Sequence, residues 1–325
     1  VRQPPGGVTA GSVAAVVVNY NAARHLAACL ESLAANGVET IIVVDNGSVD
    51  TSEQVTVAAG ARWLPTGANL GYGRGANRGA ATPEGRAAEH LLVCNPDLEL
   101  RPGSMATLRA ALAADATVGL VGPRLTNPDG SLYPSARTFP DLVDAIGHGL
   151  FGLLAPRNPF TRRYRLLDWD HRQAARVDWV SGACFLARRQ AWDAVGGFDP
   201  SYFMYLEDVD LCWRLARAGW AVGYEPAAEV LHVQGVSANR HPYRMLAAHH
   251  RSMWRFAWRT TVGAKRAALP VVGAGLAGRL AVAMAQHRLG RPAILEVPGA
   301  TADRPASAGP EPGGTNPEPA PRPLP

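Results

Sequence analysis

The sequence predicts an α/β fold: a mainly parallel central sheet flanked by helices, followed by a helical extension. Two observations carry that prediction. Apolar runs of strand length alternate with amphipathic segments of helical period from Val13 to Pro123. Runs that are apolar at every residue, not every second one, belong to strands covered on both faces. Second, clusters of Asn, Asp and Gly follow three of these runs, at the strand ends where open parallel sheets bind ligands.

The elements follow in order. "VAAVVVNY" is a buried strand over Val13–Val18, and "AARHLAACLESLAANG" a helix stopped by Gly37. "TIIVVDNGS" is the next strand, and "VDTSEQVTVAAG" a helix stopped by Gly60; glycine supplies the left-handed C-terminal cap. "NLGYGRGANRGAA" opens on turn glycines and continues as a helix, "AEHLLVCNPD" is a strand, "PGSMATLRAALAAD" a helix and "VGLVGP" a short strand. After Pro123 the rhythm breaks. "NPDGSLYPSARTFP" has hairpin and turn character, and "LVDAIGHGLFGLLAP" is a short apolar helix or loop. "ARVDWVSGACFLARRQAWDAVGGFD" then reads as strand and helix, "YLEDVDLCWRLARAG" as a helix opening in acid, and "WAVGYEP" and "EVLHVQGVS" as strands. Residues 240–260 form a basic, aromatic helix.

These elements divide the chain into a disordered leader (1–12), a catalytic domain (13–238, halves 13–122 and 123–238), a basic aromatic helical extension (239–296) and a tail (297–325). Nine of the last 29 residues are Pro, so that tail cannot build a core.

Composition narrows the class. The chain has 325 residues and a net charge of +5, with Lys265 its only lysine. Cys29, Cys94, Cys184 and Cys212 are scattered with no CxxC pair, which argues against a zinc site or disulfide framework and for a reducing compartment. No apolar segment follows a basic start. The longest apolar stretch, Ala267–Met284, contains Pro270 and Arg279 and reads as short for a membrane span. Between Val230 and Leu295 there are ten Lys or Arg and no Asp or Glu, a segment that seeks anions. Tyr243, Met245, Trp254, Phe256 and Trp258 interleave there with Arg244, Arg251, Arg255 and Arg259. That pattern suits an anionic membrane surface. The alternative is that the aromatics pack on the catalytic domain and the arginines are only solvated. No nucleic-acid motif accompanies the basic stretch.

The chemistry-bearing clusters are Asn19-Tyr20-Asn21, Asp45-Asn46-Gly47-Ser48 and Asn95-Pro96-Asp97, each after a predicted strand. Asn, Asp and Gly also make good turns and caps; three such clusters at strand ends are harder to explain that way. "NLGYGRGANRG" (Asn69 to Gly79) offers helix-start amides and Arg74 to a phosphate. In "FMYLEDVDLCWR", Glu207, Asp208 and Asp210 crowd a helix start. Acid there is favoured by the helix dipole, and crowded carboxylates raise one another's pKa toward that of a general base. His232 follows a further strand; a lone His is more often structural than a ligand. No Ser or Cys nucleophile comes with a triad.

Together "VVVNYN", "VVDNGSVD", "NLGYGRGANRG", "NPDLEL", "VSGACFLARRQAWDAVGGFD", "FMYLEDVDLCWR" and "LHVQGVS", in that order, resemble the inverting glycosyltransferases of family 2, with the GT-A fold, over about Val13 to Ser237. The resemblance implies that Asn19, Tyr20, Asp45 and Asn46 hold nucleobase and ribose. It places Asn69, Gly71, Arg74, Asn77 and Asn95 near the nucleotide and its diphosphate. It makes Asp97 the ligand of a Mg²⁺ or Mn²⁺ ion, with His232 a further candidate. Such a strand often ends in two aspartates around one residue; here Asn95 replaces the first. Asp208, paired with Glu207, would be the catalytic base, with Trp179, Gly182, Tyr205 and Asp210 on the acceptor side.

Within the family the pattern is most similar to bacterial rhamnosyltransferases acting on polyprenyl-diphosphate-linked N-acetylglucosamine, a step of cell-wall linker synthesis. That implies dTDP-β-L-rhamnose as donor, a lipid-linked diphosphate sugar as acceptor and a peripheral location at the inner face of the plasma membrane. UDP-galactofuranose or UDP-N-acetylglucosamine are the alternative donors, and a non-catalytic sugar-nucleotide or membrane-binding module is the rival class. A homo-oligomer is compatible with all of them.

Overall fold

The computed structural model describes residues 11–139, 169, 171–233 and 242–289. The leader before Gly11, the apolar segment 142–156, residues 234–237 of the last motif and the Pro-rich tail lie outside these residues.

Four parallel strands form one half of the sheet. They are β1 (Val13–Asn19), β2 (Thr40–Asp45), β3 (Arg62–Pro65) and β4 (His90–Cys94), in spatial order β3-β2-β1-β4. Beyond β4 the order continues β11 (Cys184–Arg188), β6 (Val118–Thr126), β12 (Ala221–His232) and β5 (Leu98–Leu100). β11 is antiparallel to both β4 and β6, and β5 is antiparallel to β12. The sheet is therefore mixed, where the sequence predicted a mainly parallel one. The two strands predicted in "WAVGYEP" and "EVLHVQGVS" are one strand, β12, irregular between Glu225 and Glu229. Short pairs complete the second half: β7 (Leu132–Tyr133) on β6, β8 (Ala136–Arg137) on β10 (Trp179–Val180), and β9 (Ala175–Val177) on β12.

Both faces of the sheet are covered, as the continuous apolar strands require. Val16, Val18 and Val44 point toward α3 (Tyr72–Ala80), α6 (Arg189–Val195) and α7 (Glu207–Arg217). Val17 and Val43 point the other way, toward α1 (Ala23–Ala35) and α5 (Ser104–Ala114). The small helices α2 (Ser52–Ala58) and α4 (Pro83–Ala87) fill the connections.

The glycines of α3 have a packing role. A Cβ on Gly79 would strike Val16 and Val44, and one on Gly75 would come within 2.9 Å of Val18. They let α3 lie against β1 and β2. Gly71, with φ +89°, starts the helix against the Phe203 carbonyl and tolerates no side chain.

The extension is a helical hairpin, α8 (Pro242–Thr260) and α9 (Leu269–Arg288). Gly273 of α9 fits against Trp254, and the Tyr243 and His287 rings meet edge to face at 4.8 Å. Phe256 and Leu246 are buried, whereas Tyr243 and Trp258 are exposed. The basic aromatic set thus splits between inward packing and an open surface. Among the described residues, the stretch Gly263–Arg288 is long and apolar enough to cross a membrane by length and composition, and 11% of its apolar window is buried. The sequence reading had taken it as too short.

Candidate active site

Because β2, β1 and β4 are parallel neighbours, their C-terminal ends bring the three polar clusters to one edge of the sheet. Asn19 and Asp45 are register partners. Asn19 Nδ2 donates to Asp45 Oδ1 at 2.9 Å and to Ser48 Oγ at 3.1 Å. Asp45 Oδ2 accepts from the amides of Gly47 and Ser48 at 3.1 and 2.9 Å. Asn21, left-handed at φ +52°, accepts from the Val49 amide. Two buried strand ends are thereby locked into one rigid platform, with Tyr20 half-buried beside it.

A line of hydrogen bonds runs from this platform across the site. Asn46 Nδ2 donates to the Gly71 carbonyl at 3.2 Å, and Asn69 Oδ1 accepts from the Gly71 amide. The next residue, Tyr72, donates its hydroxyl to the Gly182 carbonyl at 2.6 Å. The Gly182 amide donates to Asp208 Oδ2 at 2.8 Å. Beside it, the Asn95 amide donates to the Ala183 carbonyl. The strand-end clusters and the acid pair therefore share one frame.

Asp97 and His232 meet because β5 pairs with the end of β12, setting His232 opposite Leu98. His232 Nε2 lies 3.5 Å from Asp97 Oδ1 and 3.4 Å from Asn95 Nδ2. Asp97 and His232 are each only 6% exposed. Burial pushes the Asp97 carboxyl up, but His232, a backbone hydrogen bond and His25 together hold the acid below its ordinary value. Asp97 is thus a carboxylate at neutral pH. His232 Nδ1 is buried and has no hydrogen-bond partner among the described residues. Those residues contain no cluster of three His, Cys, Asp or Glu that would cage a metal alone. One carboxylate and one imidazole fit a hard divalent ion that takes its remaining oxygens from a diphosphate and water.

At the start of α7, Glu207 is buried while Asp208 keeps part of its surface open. Burial, then repulsion from Asp208, pushes Glu207 up to about 8, and Glu207 Oε2 has no hydrogen-bond partner among the described residues. Burial also raises Asp208, opposed by the Gly182 and Val209 amides and by the charge of Arg137. Glu207 therefore keeps its proton at neutral pH. Asp208, held by two backbone amides, is the acid a substrate can reach.

This has a consequence for stability. The unfolded chain releases the Glu207 proton near 4.5, and the folded chain keeps it to about 8. The native state binds more protons in that window, so stability falls as pH rises through it. Unfolding free energy should drop by a few kcal/mol between about pH 5 and pH 8, and Glu207→Gln should flatten the slope. Denaturant titrations at both pH values check this; an unchanged slope in the variant contradicts the proton's location.

Not every expected residue faces the cleft. Asn77 is held by Phe198, donating to its carbonyl at 2.8 Å and accepting from its amide at 2.9 Å. Arg74 Nε donates to the Pro200 carbonyl at 2.6 Å. Both hold the segment that leads to the acid pair, where diphosphate contacts were expected. Trp179 is buried; its indole N–H donates to the Thr138 carbonyl, and its ring lies 5.0 Å from the Arg137 guanidinium. Asp210 is 0% exposed and engaged by Arg214 at 2.6 Å. Trp179 and Asp210 therefore support the site from behind, where the sequence had placed them on the acceptor side. Tyr205 is half-buried, with its ring against His249. Arg137 is a site residue the sequence did not reveal, since a lone arginine in a turn-rich segment carries no signal.

A mixed sheet with polar clusters at its parallel strand ends, an Asp–His pair and a carboxyl pair defines a GT-A sugar-nucleotide transferase. Two solved structures share the fold. One is a mannosyltransferase from Pyrobaculum calidifontis in complex with GDP-Man and Mn²⁺, with TM-score 0.52 and 16% identity, covering 89% of this chain and 77% of that one. The other is glucosyl-3-phosphoglycerate synthase from Mycobacterium tuberculosis in complex with Mn²⁺, UDP and glucosyl-3-phosphoglycerate, with TM-score 0.51 and 16% identity, covering 81% and 87%. The chain belongs to glycosyltransferase family 2: "Glycosyltransferase like family 2" matches residues 10–257. It is 44% identical over 253 residues to the N-acetylglucosaminyl-diphospho-decaprenol L-rhamnosyltransferase of Mycobacterium tuberculosis, covering 74% of this chain and 82% of that relative.

Proposed function

We propose that this glycosyltransferase moves L-rhamnose from dTDP-β-L-rhamnose to polyprenyl-diphosphate-linked N-acetylglucosamine, with inversion and with a divalent cation. The observation that carries the reading is the 44% identity to a relative named for that acceptor and sugar. The site geometry supports the chemistry. Asn19, Asp45 and their loops form a rigid platform for the nucleoside. Asp97 and His232 would hold Mg²⁺ or Mn²⁺ against the diphosphate, and such an ion neutralises the charge that makes a diphosphate a poor leaving group. Asp208, with Oδ2 fixed by the Gly182 amide and Oδ1 by that of Val209, takes the proton of the acceptor hydroxyl as it attacks the anomeric carbon. Glu207, protonated and buried, leaves the pair with a single charge. One displacement inverts the centre and needs no enzyme nucleophile.

The lipid-linked acceptor places the work at the inner face of the membrane. α9 exposes Val271 and Val282, and Leu289 just after it is exposed too, in a region without acidic residues. α9 packs along α8, and α8 is anchored on the catalytic domain. We therefore read the hairpin as lying on an anionic bilayer, since spanning it would strip α9 from its partner.

One experiment tests donor and surface together. Transfer to prenyl-diphosphate N-acetylglucosamine is measured in anionic and neutral vesicles, with dTDP-rhamnose, UDP-galactofuranose or UDP-N-acetylglucosamine. Turnover of dTDP-rhamnose, faster on anionic vesicles, is expected. Preference for a UDP sugar would overturn the donor, and equal rates on both vesicles would overturn the surface. No turnover with any donor would revive a binding module.

A further inference from the structure

We propose that Arg259, on the helical extension, is a positioning residue that fixes the loop leading into the catalytic base. The proposal rests on the assignment of Asp208 as that base. It goes beyond the family relationship, whose match ends at residue 257.

The loop is 199–206, between α6 and α7. It ends in two consecutive non-glycine residues in the left-handed region, Tyr205 at φ +67° and Leu206 at φ +61°, directly before Glu207 and Asp208. Such a conformation persists only where the surroundings over-determine it. Two elements do so here. From the nucleotide side, Arg74 donates to the Pro200 carbonyl and the Tyr72 amide to that of Phe203. From the extension, Ser252 Oγ donates to the Met204 carbonyl at 3.0 Å, and the Arg255 guanidinium lies 5.9 Å from the Tyr202 ring. The His249 ring meets that of Tyr205 at 5.1 Å.

Arg259 differs from these contacts because it joins the two ends of the segment. Its Nη1 bonds Asp199 Oδ2, at the start of the loop, and lies 3.2 Å from Asp210 Oδ1, two residues after Asp208. Asp210 is fully buried, and its other oxygen is held by Arg214. One guanidinium thus closes the loop around the base. Both contacts come from Nη1, a hydrogen bond to Asp199 and a charge contact to Asp210; a lysine keeps the charge but not the guanidinium's geometry. Of the four arginines of α8, Arg244 and Arg251 are exposed and Arg255 is half-buried, while Arg259, itself exposed, reaches back to Asp199 and Asp210.

The test compares Arg259→Ala, Arg259→Lys and Asp199→Asn in the full chain with wild type. The readouts are kcat, donor KM and dTDP affinity by calorimetry. Arg259→Ala should lose about 100-fold in kcat, the scale of a small misplacement of a reacting group. Donor KM and dTDP affinity should stay within about twofold, because the nucleotide platform is untouched. Retained affinity also shows that the variant is folded. Arg259→Lys should recover part of kcat, and Asp199→Asn, which cuts one end only, should fall between Ala and wild type. Wild-type kcat in Arg259→Ala would overturn the proposal, as would equal losses of kcat and dTDP affinity. Full activity in Asp208→Asn would instead defeat the base. A dead Asp208→Asn beside a fully active Arg259→Ala would defeat the positioning role alone.

Discussion

Asp208→Asn should lower transfer by about 10²- to 10⁴-fold, the range for loss of a general base, while dTDP binding stays near that of wild type. The substitution keeps the shape of the side chain. An amide oxygen can still accept from Gly182, which donates at 2.8 Å in the native site. The amide cannot take a proton at neutral pH. The nucleotide platform of Asn19, Asp45 and Ser48 shares no side-chain hydrogen bond with Asp208. Binding and turnover should therefore separate. Single-turnover rates and calorimetric titration check this; loss of nucleotide affinity in step with rate would make Asp208 a structural residue.

Asp97→Ala should lower activity about 10³-fold at limiting metal, on the scale of several kcal/mol of charge stabilisation at the leaving group. Part of the loss should return as Mn²⁺ is raised. The Asp97 side chain meets His232 at 3.5 Å, and the bond its backbone carbonyl accepts from the Val233 amide survives the change. The fold should remain intact. A Mn²⁺ titration of rate, with and without a chelator, is the check. An unchanged metal midpoint in the variant would remove Asp97 from the metal side.

Much of the candidate site's placement is legible in the sequence, because strand ends and helix starts announce themselves. Asn19, Asp45 and Asp97 follow apolar runs, and the sheet order β2-β1-β4 brings them together. The acid pair was visible as crowded charge before a helical period. What the sequence hid was long-range. Nothing local shows that the strand after "VSGA" inserts antiparallel between β4 and β6, or that β5 crosses to the far edge to place Asp97 against His232. The glycine-rich segment was read as a phosphate cradle. Its glycines at 75 and 79 answer to valines in β1 and β2, contacts that local pattern does not reveal. Asp210 looked like a third active-site acid; only the fold shows Arg214 and Arg259 closing on it. Arginines on the extension read as membrane-facing from the sequence; the fold shows Arg255 half-buried and Arg259 reaching back to Asp199 and Asp210.

The most direct test is the configuration of the product. With dTDP-β-L-rhamnose and prenyl-diphosphate N-acetylglucosamine, a base and no nucleophile predict one displacement and an α-linked rhamnose. The one-bond carbon–proton coupling at the anomeric centre reads this by NMR. An α-rhamnoside supports Asp208 acting on the acceptor hydroxyl; a β-rhamnoside would mean retention through a second displacement and would contradict the mechanism.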